Sequence, residues 1–252
     1  PLVKDTVQIA EKFRAAVMSV FNRCCAGRDE AARYLRSDAD RHASPTFSGK
    51  DKDGHILASN AHAYFLPMPD RTDPRYVRKV IVYARVGFEP LEVAALRKTQ
   101  VEERRGNNKL LWCSRLIGLD DNPSRDLHLR GPSSTWISFT PFIAHRHAKR
   151  RGSMRDIPEN TDDPRGSFLA LAAREICQTR GLPPLLDATP VTAAKNQLQF
   201  YEFRRARRKP GNDAYTRTTG YLRLTFEMPI TGPLCLGYNN HFGMGLFAAT
   251  DK

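Results

Sequence analysis

Apolar residues recur along this chain at two periods, which predict helices and strands in succession. Spacing of three and four residues predicts a helix over 5–21, with Asp5 as its N-cap, and a second helix that begins at Pro90. The same spacing predicts a third helix over 166–180, which Gly181 closes. Each helix therefore has a recognisable start, end or apolar face.

Alternating or β-branched segments predict the strands. The cleanest alternation lies in 220–228, directly before a glycine-rich turn that we expect to be partly helical. The predicted strands are 62–67, 78–85, 109–118, 135–143, 196–203, 220–228 and 245–249. The polar segments between elements are predicted loops, and the longest, 27–60, is long enough to be functional.

The order of these elements predicts an α+β fold with tandem ferredoxin-like (RRM-like) units. A ferredoxin-like unit runs strand, helix, strand, strand, helix, strand. Residues 1–120 follow that order if the first strand lies upstream of Pro1, so we expect an upstream segment. Residues 135–252 follow it with a degenerate second helix.

Charge narrows the choice of partner. The net charge is +13, and no apolar run approaches the roughly 18 residues of a membrane span. The five cysteines form no CxxC pair, so neither a zinc site nor a disulfide framework is predicted. We expect a cytoplasmic protein with no membrane partner, whose basic surface contacts a nucleic acid.

Two clusters concentrate the positive charge. Solvated surface is the simplest interpretation of one such cluster, and a membrane-surface patch is a weaker one. Two arginine-rich clusters near aromatic residues favour phosphate contact. The predicted RNA-binding residues are His145, His147, Lys149, Arg150 and Arg151 in the first cluster, and Arg204, Arg205, Arg207 and Arg208 in the second.

The turn before the last strand contains three glycines, at 237, 243 and 245, around His241. Glycine reaches positive φ and lets backbone N–H groups approach another chain closely. In a chain this basic, that other chain is predicted to be a nucleic-acid backbone. Gly237, His241, Gly243 and Gly245 are therefore candidate nucleic-acid contacts.

With this turn, the chain resembles the RAMP superfamily of CRISPR-associated RNA-binding proteins, and within it the family that cleaves CRISPR repeat RNA. It is most similar to the C-terminal half of the fused protein of the I-U (I-G) subtype, in which a backbone-type RAMP domain precedes the cleaving domain. The resemblance rests on the helix near 9–18 and on the segments Ser48-Gly49-Lys50-Asp51, Asp53-Gly54, His62-Ala63-Tyr64-Phe65-Leu66-Pro67, Gly232-Pro233-Leu234 and His241-Phe242-Gly243-Met244-Gly245. Asn60 stands where this pattern would have a second histidine.

The resemblance implies a metal-independent, cofactor-free endoribonuclease that processes CRISPR precursor RNA and retains the 3′ stem of the crRNA. Its partners would be repeat RNA and other subunits of a type I effector complex, including a fused or separate backbone-type RAMP domain. In such a reaction the 2′-hydroxyl attacks the adjacent phosphate, which gives a 2′,3′-cyclic phosphate. Alternatives are a non-catalytic guide-RNA-binding subunit and a general basic RNA-binding module outside CRISPR biology.

Histidine suits the acid–base work of this reaction because its pKa lies near neutrality. His62 opens a predicted strand, and Tyr64 lies two residues on, so both are predicted on one face. They are the first catalytic candidates, and His55 is the next. The pair His145 and His147 is an alternative cluster, although phosphate binding suits it better. No metal site is predicted, because the histidine pair lacks further ligands nearby and the segment from Asp51 lacks the glutamate of a calcium loop.

Overall fold

The computed structural model describes residues 1–26, 44–51, 53–57, 62–70, 72–105, 109–114, 116–118, 129, 131–149, 156–157, 161–195, 197–207 and 213–250. The helices are α1 (Thr6–Ala26), α2 (Pro45–Ser48), α3 (Pro90–Lys98) and α4 (Pro164–Thr179). The strands are β1 (Tyr64–Pro69), β2 (Val77–Tyr83), β3 (Glu102–Arg105), β4 (Lys109–Cys113), β5 (Ser133–Ser138), β6 (Phe142–Ile143), β7 (Leu185–Val191), β8 (Thr219–Ile230), β9 (Leu234–Cys235) and β10 (Leu246–Ala249). Within these ranges, no helix has the length and apolar character to cross a membrane.

In the first half, α1 packs on β1 of the β1–β2 antiparallel pair, and α3 packs on α1. The face toward the helices carries Phe65 and Val77, which join the buried residues of α1. The opposite face carries Tyr64 and Leu66, which pack with Cys235 and other residues of the second half. This pair of strands is therefore buried on both sides. Strands β3 and β4 form a separate two-stranded sheet.

In the second half, one antiparallel sheet has β8 as its centre. β5 and β7 both pair with β8, β10 pairs with β5 on its far side, and β9 pairs with β10. Helix α4 packs on β7 and β8. Its side chains Phe168 and Leu169 are buried in one apolar cluster with Trp136 and Leu224 of the sheet. Asp163 caps the helix by accepting a hydrogen bond from the Gly166 N–H at 2.8 Å.

The two halves share one apolar core. Residues of α1 and β1 pack in a single buried cluster with Ile143, Phe203, Phe242 and Met244 of the second half. The short 3₁₀ turn Asn240–Phe242 contacts both α1 and β1. This shared packing fixes the position of the glycine-rich turn relative to the first helix.

The structure confirms most of the predicted elements. The first helix runs five residues further than expected, and the helices at Pro90 and before Gly181 are present. The strands predicted over 62–67, 78–85, 220–228 and 245–249 correspond to β1, β2, β8 and β10, and the glycine-rich turn is part 3₁₀ helix as expected. The strand over 135–143 divides into β5 and β6. Asp5 lies in a 3₁₀ turn before α1 and pairs with Arg204 at 3.1 Å.

Some predictions of detail were wrong. The predicted strand 196–203 contains the 3₁₀ turn Phe200–Glu202, because Gln199 and Glu202 form a reciprocal cap there. Strand β7 was missed, since its Pro190 argues against an inner strand; Pro is tolerated at a sheet edge, where β7 lies. Strand β3 was missed too, and the strand predicted over 109–118 ends at Cys113.

The coarse α+β class is confirmed, whereas the tandem ferredoxin-like architecture is not. The described strands of residues 1–120 form two separate two-stranded sheets rather than one larger sheet. The boundaries 1–120 and 135–252 therefore remain a prediction. Much of the predicted loop 27–60 lies outside the described residues.

The glycines of the turn lie close to other backbone atoms of the same chain. A Cβ added at Gly245 would lie 1.8 Å from the Leu236 carbonyl oxygen, and one at Gly237 would lie 2.3 Å from that of Ile143. Gly245 also has a φ of +59°, where side chains with a Cβ are strained. Internal packing is therefore sufficient to explain glycine at these positions.

We expect Gly245→Ala to lower the free energy of unfolding by about 3 kcal/mol or more, because strain at positive φ and a backbone clash combine. Gly181→Ala is the matched control, since Gly181 has a similar φ of +63° but open space around it. It should cost only about 1–2 kcal/mol. Urea denaturation of both variants measures the difference.

Equal losses in the two variants would contradict internal packing as the reason for Gly245. If Gly245→Ala leaves the stability unchanged but weakens RNA binding, glycine at this position serves RNA contact, as the sequence predicted.

Candidate active site

Three rings form a continuous stack where the two halves meet. The ring of His241 lies between those of His62 and Tyr64, with centroid separations of 3.5 Å to His62 and 4.0 Å to Tyr64. The interplanar angles are 16° and 22°, so all three rings are close to parallel. The structure thus brings together both first catalytic candidates and one predicted RNA contact.

Local backbone geometry sets this stack. Tyr64 begins β1, His62 lies two residues before it, and both rings stack on His241. Asn239, in the left-handed conformation, begins the 3₁₀ turn that presents His241. The Nδ1 atom of His241 lies 3.3 Å from the carbonyl oxygen of Ala63, the residue between the two outer rings. The inserted ring is therefore held by the strand that supplies its neighbours.

Burial and nearby cations keep both histidines neutral. Burial, as the largest cause, and the charges of Arg14 and Arg180 together lower the pKa of His62 to about 4. Burial also lowers the pKa of His241 to about 2. The Nδ1 atom of His62 is buried without a hydrogen-bond partner in the described part of the chain. For Tyr64, burial raises the pKa to about 12.

Two arginines that the sequence analysis did not select flank the rings. Arg14 of α1 donates hydrogen bonds to the carbonyl oxygens of Phe47 at 2.9 Å and Ser48 at 2.6 Å. This places its charge near His62, whose ring also packs on Gly49. Arg180, at the end of α4, donates to the Cys235 carbonyl and interacts with the Tyr64 side chain. No periodicity links these residues in sequence, because only tertiary packing brings them together.

His55 is not part of the stack. It lies on an exposed turn, where its Nδ1 atom is 3.3 Å from a carboxylate oxygen of Asp51. Asp51 also accepts hydrogen bonds from the backbone N–H groups of Asp53 and His55. Ligand atoms of Asp51, Asp53 and His55 lie within 4.8 Å of one another, but turn formation already accounts for this arrangement.

The first basic cluster pairs largely with the protein's own carboxylates. His145 Nε2 is 3.4 Å from Glu175, and His147 Nε2 is 3.2 Å from Asp213. The backbone N–H of Lys149 donates to Asp156. Strand β6 ends at Ile143, before His145, so His145 and His147 do not lie on one strand. Arg150 and Arg151 lie outside the described residues.

The second basic cluster lies along α1. Arg204 pairs with Asp5 at 3.1 Å, and Arg207 pairs with Glu11 at 3.1 Å while its guanidinium lies over the Phe242 ring. Arg205 differs from both, since it donates to the Thr219 hydroxyl at 2.6 Å. Arg208 lies outside the described residues. The RNA-binding roles of both clusters and of the glycines remain predictions.

Comparison of the chain with protein-family models, curated proteins and solved structures finds no match to any of them. The geometry of the ring stack and its surroundings therefore supplies the evidence on function.

The buried histidines make stability depend on pH. Between about pH 6.5 and pH 4 the unfolded chain binds more protons than the folded chain, because both folded-state pKa values are depressed. Their stabilising contribution is present above about pH 6.5 and is lost as the pH falls toward 4. We expect the free energy of unfolding to fall in that window by a few kcal/mol.

Urea denaturation at pH 7 and pH 4.5 measures this slope. The double variant His62→Gln/His241→Gln should flatten it, although His145, whose pKa burial also lowers, retains a smaller part. His55→Gln, at an exposed position, is the control and should leave the slope unchanged. An unchanged slope in the double variant would show that the stack is not buried as described.

Proposed function

We propose that the protein is a metal-independent endoribonuclease whose active centre is the His62–His241–Tyr64 stack. The observation that carries this proposal is the combination of a neutral histidine, a protonated tyrosine and two guanidinium groups at one place. These are the groups that 2′-hydroxyl attack on a phosphodiester requires.

His62 acts as the general base. With a pKa of about 4 the half-buried imidazole is unprotonated at neutral pH and can accept a proton. The imidazole takes the proton of the ribose 2′-hydroxyl as that oxygen bonds to phosphorus. The bond from phosphorus to the 5′ oxygen then breaks, and the products are a 2′,3′-cyclic phosphate and a 5′-hydroxyl.

Tyr64 acts as the general acid. Its pKa of about 12 keeps the phenol protonated at neutral pH, so it can donate to the leaving 5′ oxygen. His241 is a poor acid, because its pKa of about 2 leaves it neutral; it fixes the orientation of the two outer rings.

Arg14 and Arg180 stabilise the negative charge that develops on the phosphate. Both guanidinium charges act on His62 and on His241, so they lie on the same site from different elements. Arg14 belongs to the first half and Arg180 to the second. A phosphate at the stack would therefore contact cations from both halves.

The substrate that we propose is the repeat of a CRISPR precursor RNA, with the product retained and other type I effector subunits as partners. The second half supports this idea, because β5, α4, β7, β8, the 3₁₀ turn and β10 follow the ferredoxin-like order along the chain. In its sheet, β8 lies between β7 and β5, and β10 lies beyond β5. We extend this to the tandem RAMP architecture as part of the proposal.

The test of the reaction uses labelled repeat RNA from a CRISPR array beside this chain's gene, incubated with protein in excess EDTA. We expect cleavage to products with a 2′,3′-cyclic phosphate, and no cleavage of RNA with a 2′-deoxy nucleotide at the cut position. His62→Ala should reduce the rate at least about 100-fold, which is typical for loss of an acid or base, with RNA affinity retained.

His55→Ala is the matched control, since it removes a histidine outside the stack, and its cleavage rate should equal that of the wild type. Loss of cleavage in His55→Ala but not in His62→Ala would overturn the assignment of the base. Tight binding without any cleavage would favour the non-catalytic guide-RNA subunit instead. Equal affinity for unrelated hairpins would favour a general RNA-binding module.

The pH dependence of cleavage should follow the pKa of His62. Activity should rise as the pH passes about 4, because the protonated imidazole cannot accept a proton, and should stay level from about pH 5.5 to 8. The pH dependence of kcat/KM, which reports the pKa of the free protein, tests the expectation. A midpoint near 6.5, the value of an exposed histidine, would indicate a base outside the stack.

A further inference from the structure

A row of alternating aromatic and cationic side chains lies beside the start of β8. The guanidinium of Arg165 lies over the Phe200 ring at 3.7 Å, and that of Arg205 lies over the Tyr215 ring at 5.2 Å. The Tyr201 ring meets Phe200 edge-on at 5.4 Å. These five residues come from three separate segments of the chain.

Thr219 joins the two arginines in the middle of this row. Arg165 donates to its carbonyl oxygen, and Arg205 donates to its hydroxyl at 2.6 Å. The two guanidinium groups are close enough for the charge of Arg165 to lower the pKa of Arg205, after the larger effect of burial. Two like charges are thus held side by side.

This pair of cations lacks the compensation that other arginines of the chain have. Arg146 pairs with both Asp156 and Glu175 at 2.6 Å, Arg204 pairs with Asp5 before α1, and Arg207 pairs with Glu11 of α1. In the described part of the chain, no carboxylate lies within ion-pair distance of Arg165 or Arg205, and Asp163 acts on Arg165 only from beyond that distance. The positive charge of the pair is therefore only partly compensated, and an anionic ligand would complete the compensation.

The aromatic members remain accessible. Tyr201 is 66% exposed and Tyr215 is 55% exposed, although both adjoin folded elements. The turn that carries Tyr201 is rigid, since Gln199 and Glu202 cap it reciprocally and the Tyr221 hydroxyl donates to the Leu198 carbonyl. Flat, pre-positioned rings beside unpaired guanidinium groups are the features that bind unpaired bases and their phosphates.

We propose that Tyr201, Phe200, Arg165, Arg205 and Tyr215 form a binding surface for single-stranded nucleic acid. Bases stack on the two tyrosines, and the guanidinium groups contact the phosphates between them. The surface shares no residue with the ring stack, although the two are neighbours: Asn239, two residues before His241, donates a hydrogen bond to the Arg205 carbonyl oxygen at 2.8 Å. Binding at the surface does not require the catalytic rings, so we expect it whether or not the stack cleaves RNA.

Fluorescence anisotropy with a labelled twelve-nucleotide oligouridine tests the proposal on the whole chain. Tyr201→Ala and Tyr215→Ala should each weaken binding at least about fivefold, the lower end of what one base–aromatic stack contributes. Tyr201→Phe should retain the affinity of the wild type, because the ring remains.

Tyr76→Ala is the matched control. Tyr76 is 49% exposed and lies near the Arg75 guanidinium at 6.0 Å, but Asp73 neutralises that arginine at 2.7 Å. Its replacement should leave the affinity unchanged.

Three results would overturn the proposal. Affinities of Tyr201→Ala and Tyr215→Ala within twofold of the wild type would show that the rings take no part. An equal loss in Tyr76→Ala would show a general surface effect. Equal binding of duplex RNA or heparin, with the same response to the variants, would show recognition of charge alone. Cleavage by the His62 site, measured in parallel, separates failure here from failure of the proposed nuclease.

Discussion

The insertion of His241 between His62 and Tyr64 is the contact on which the arrangement of the two halves depends. Side chains two residues apart on a strand are separated by about 6.8 Å, which leaves room for one flat ring between them. The ring that fills this gap comes from a turn on the other half of the chain. The turn can reach it only if its backbone packs directly on neighbouring backbone, and glycine at 237 and 245 permits that approach. One stacking contact thus links the strand, the turn and the shared core.

This constraint separates what the sequence could indicate from what it could not. The periodicity of α1 and the alternation in β8 identified their elements because each element buries one face in a continuous apolar cluster. His62 and Tyr64 were found for the same reason, since strand period places them on one face. His241, whose ring completes the stack, was predicted to contact RNA, because no local sequence pattern shows which chain a glycine-rich turn approaches. Arg14 and Arg180 were missed because their proximity is entirely tertiary.

Charge was also harder to interpret from sequence than from structure. The two basic clusters looked alike as runs of Arg, Lys and His, yet their described members differ in what they contact. His147 and Arg207 have acidic partners in distant segments, whereas Arg205 has only a hydroxyl, a ring and another cation. Density of positive residues along a chain therefore indicates a basic surface, but the position of the carboxylates decides which cations are available to a ligand. Those carboxylates come from α1 and from residues far along the chain.

Positive charge has different surroundings at the ring stack and at the row of side chains beside β8. At the stack, burial and two nearby guanidinium groups keep the histidines neutral, so the site gains proton-accepting capacity from cations that also suit a phosphate. At β8, the guanidinium groups lie against aromatic rings, and the tyrosine rings are exposed. An anion that entered the stack would reduce the positive field there and raise the histidine pKa values. A phosphate would therefore make His62 a stronger base in the complex than in the free protein, which couples binding at this site to proton transfer.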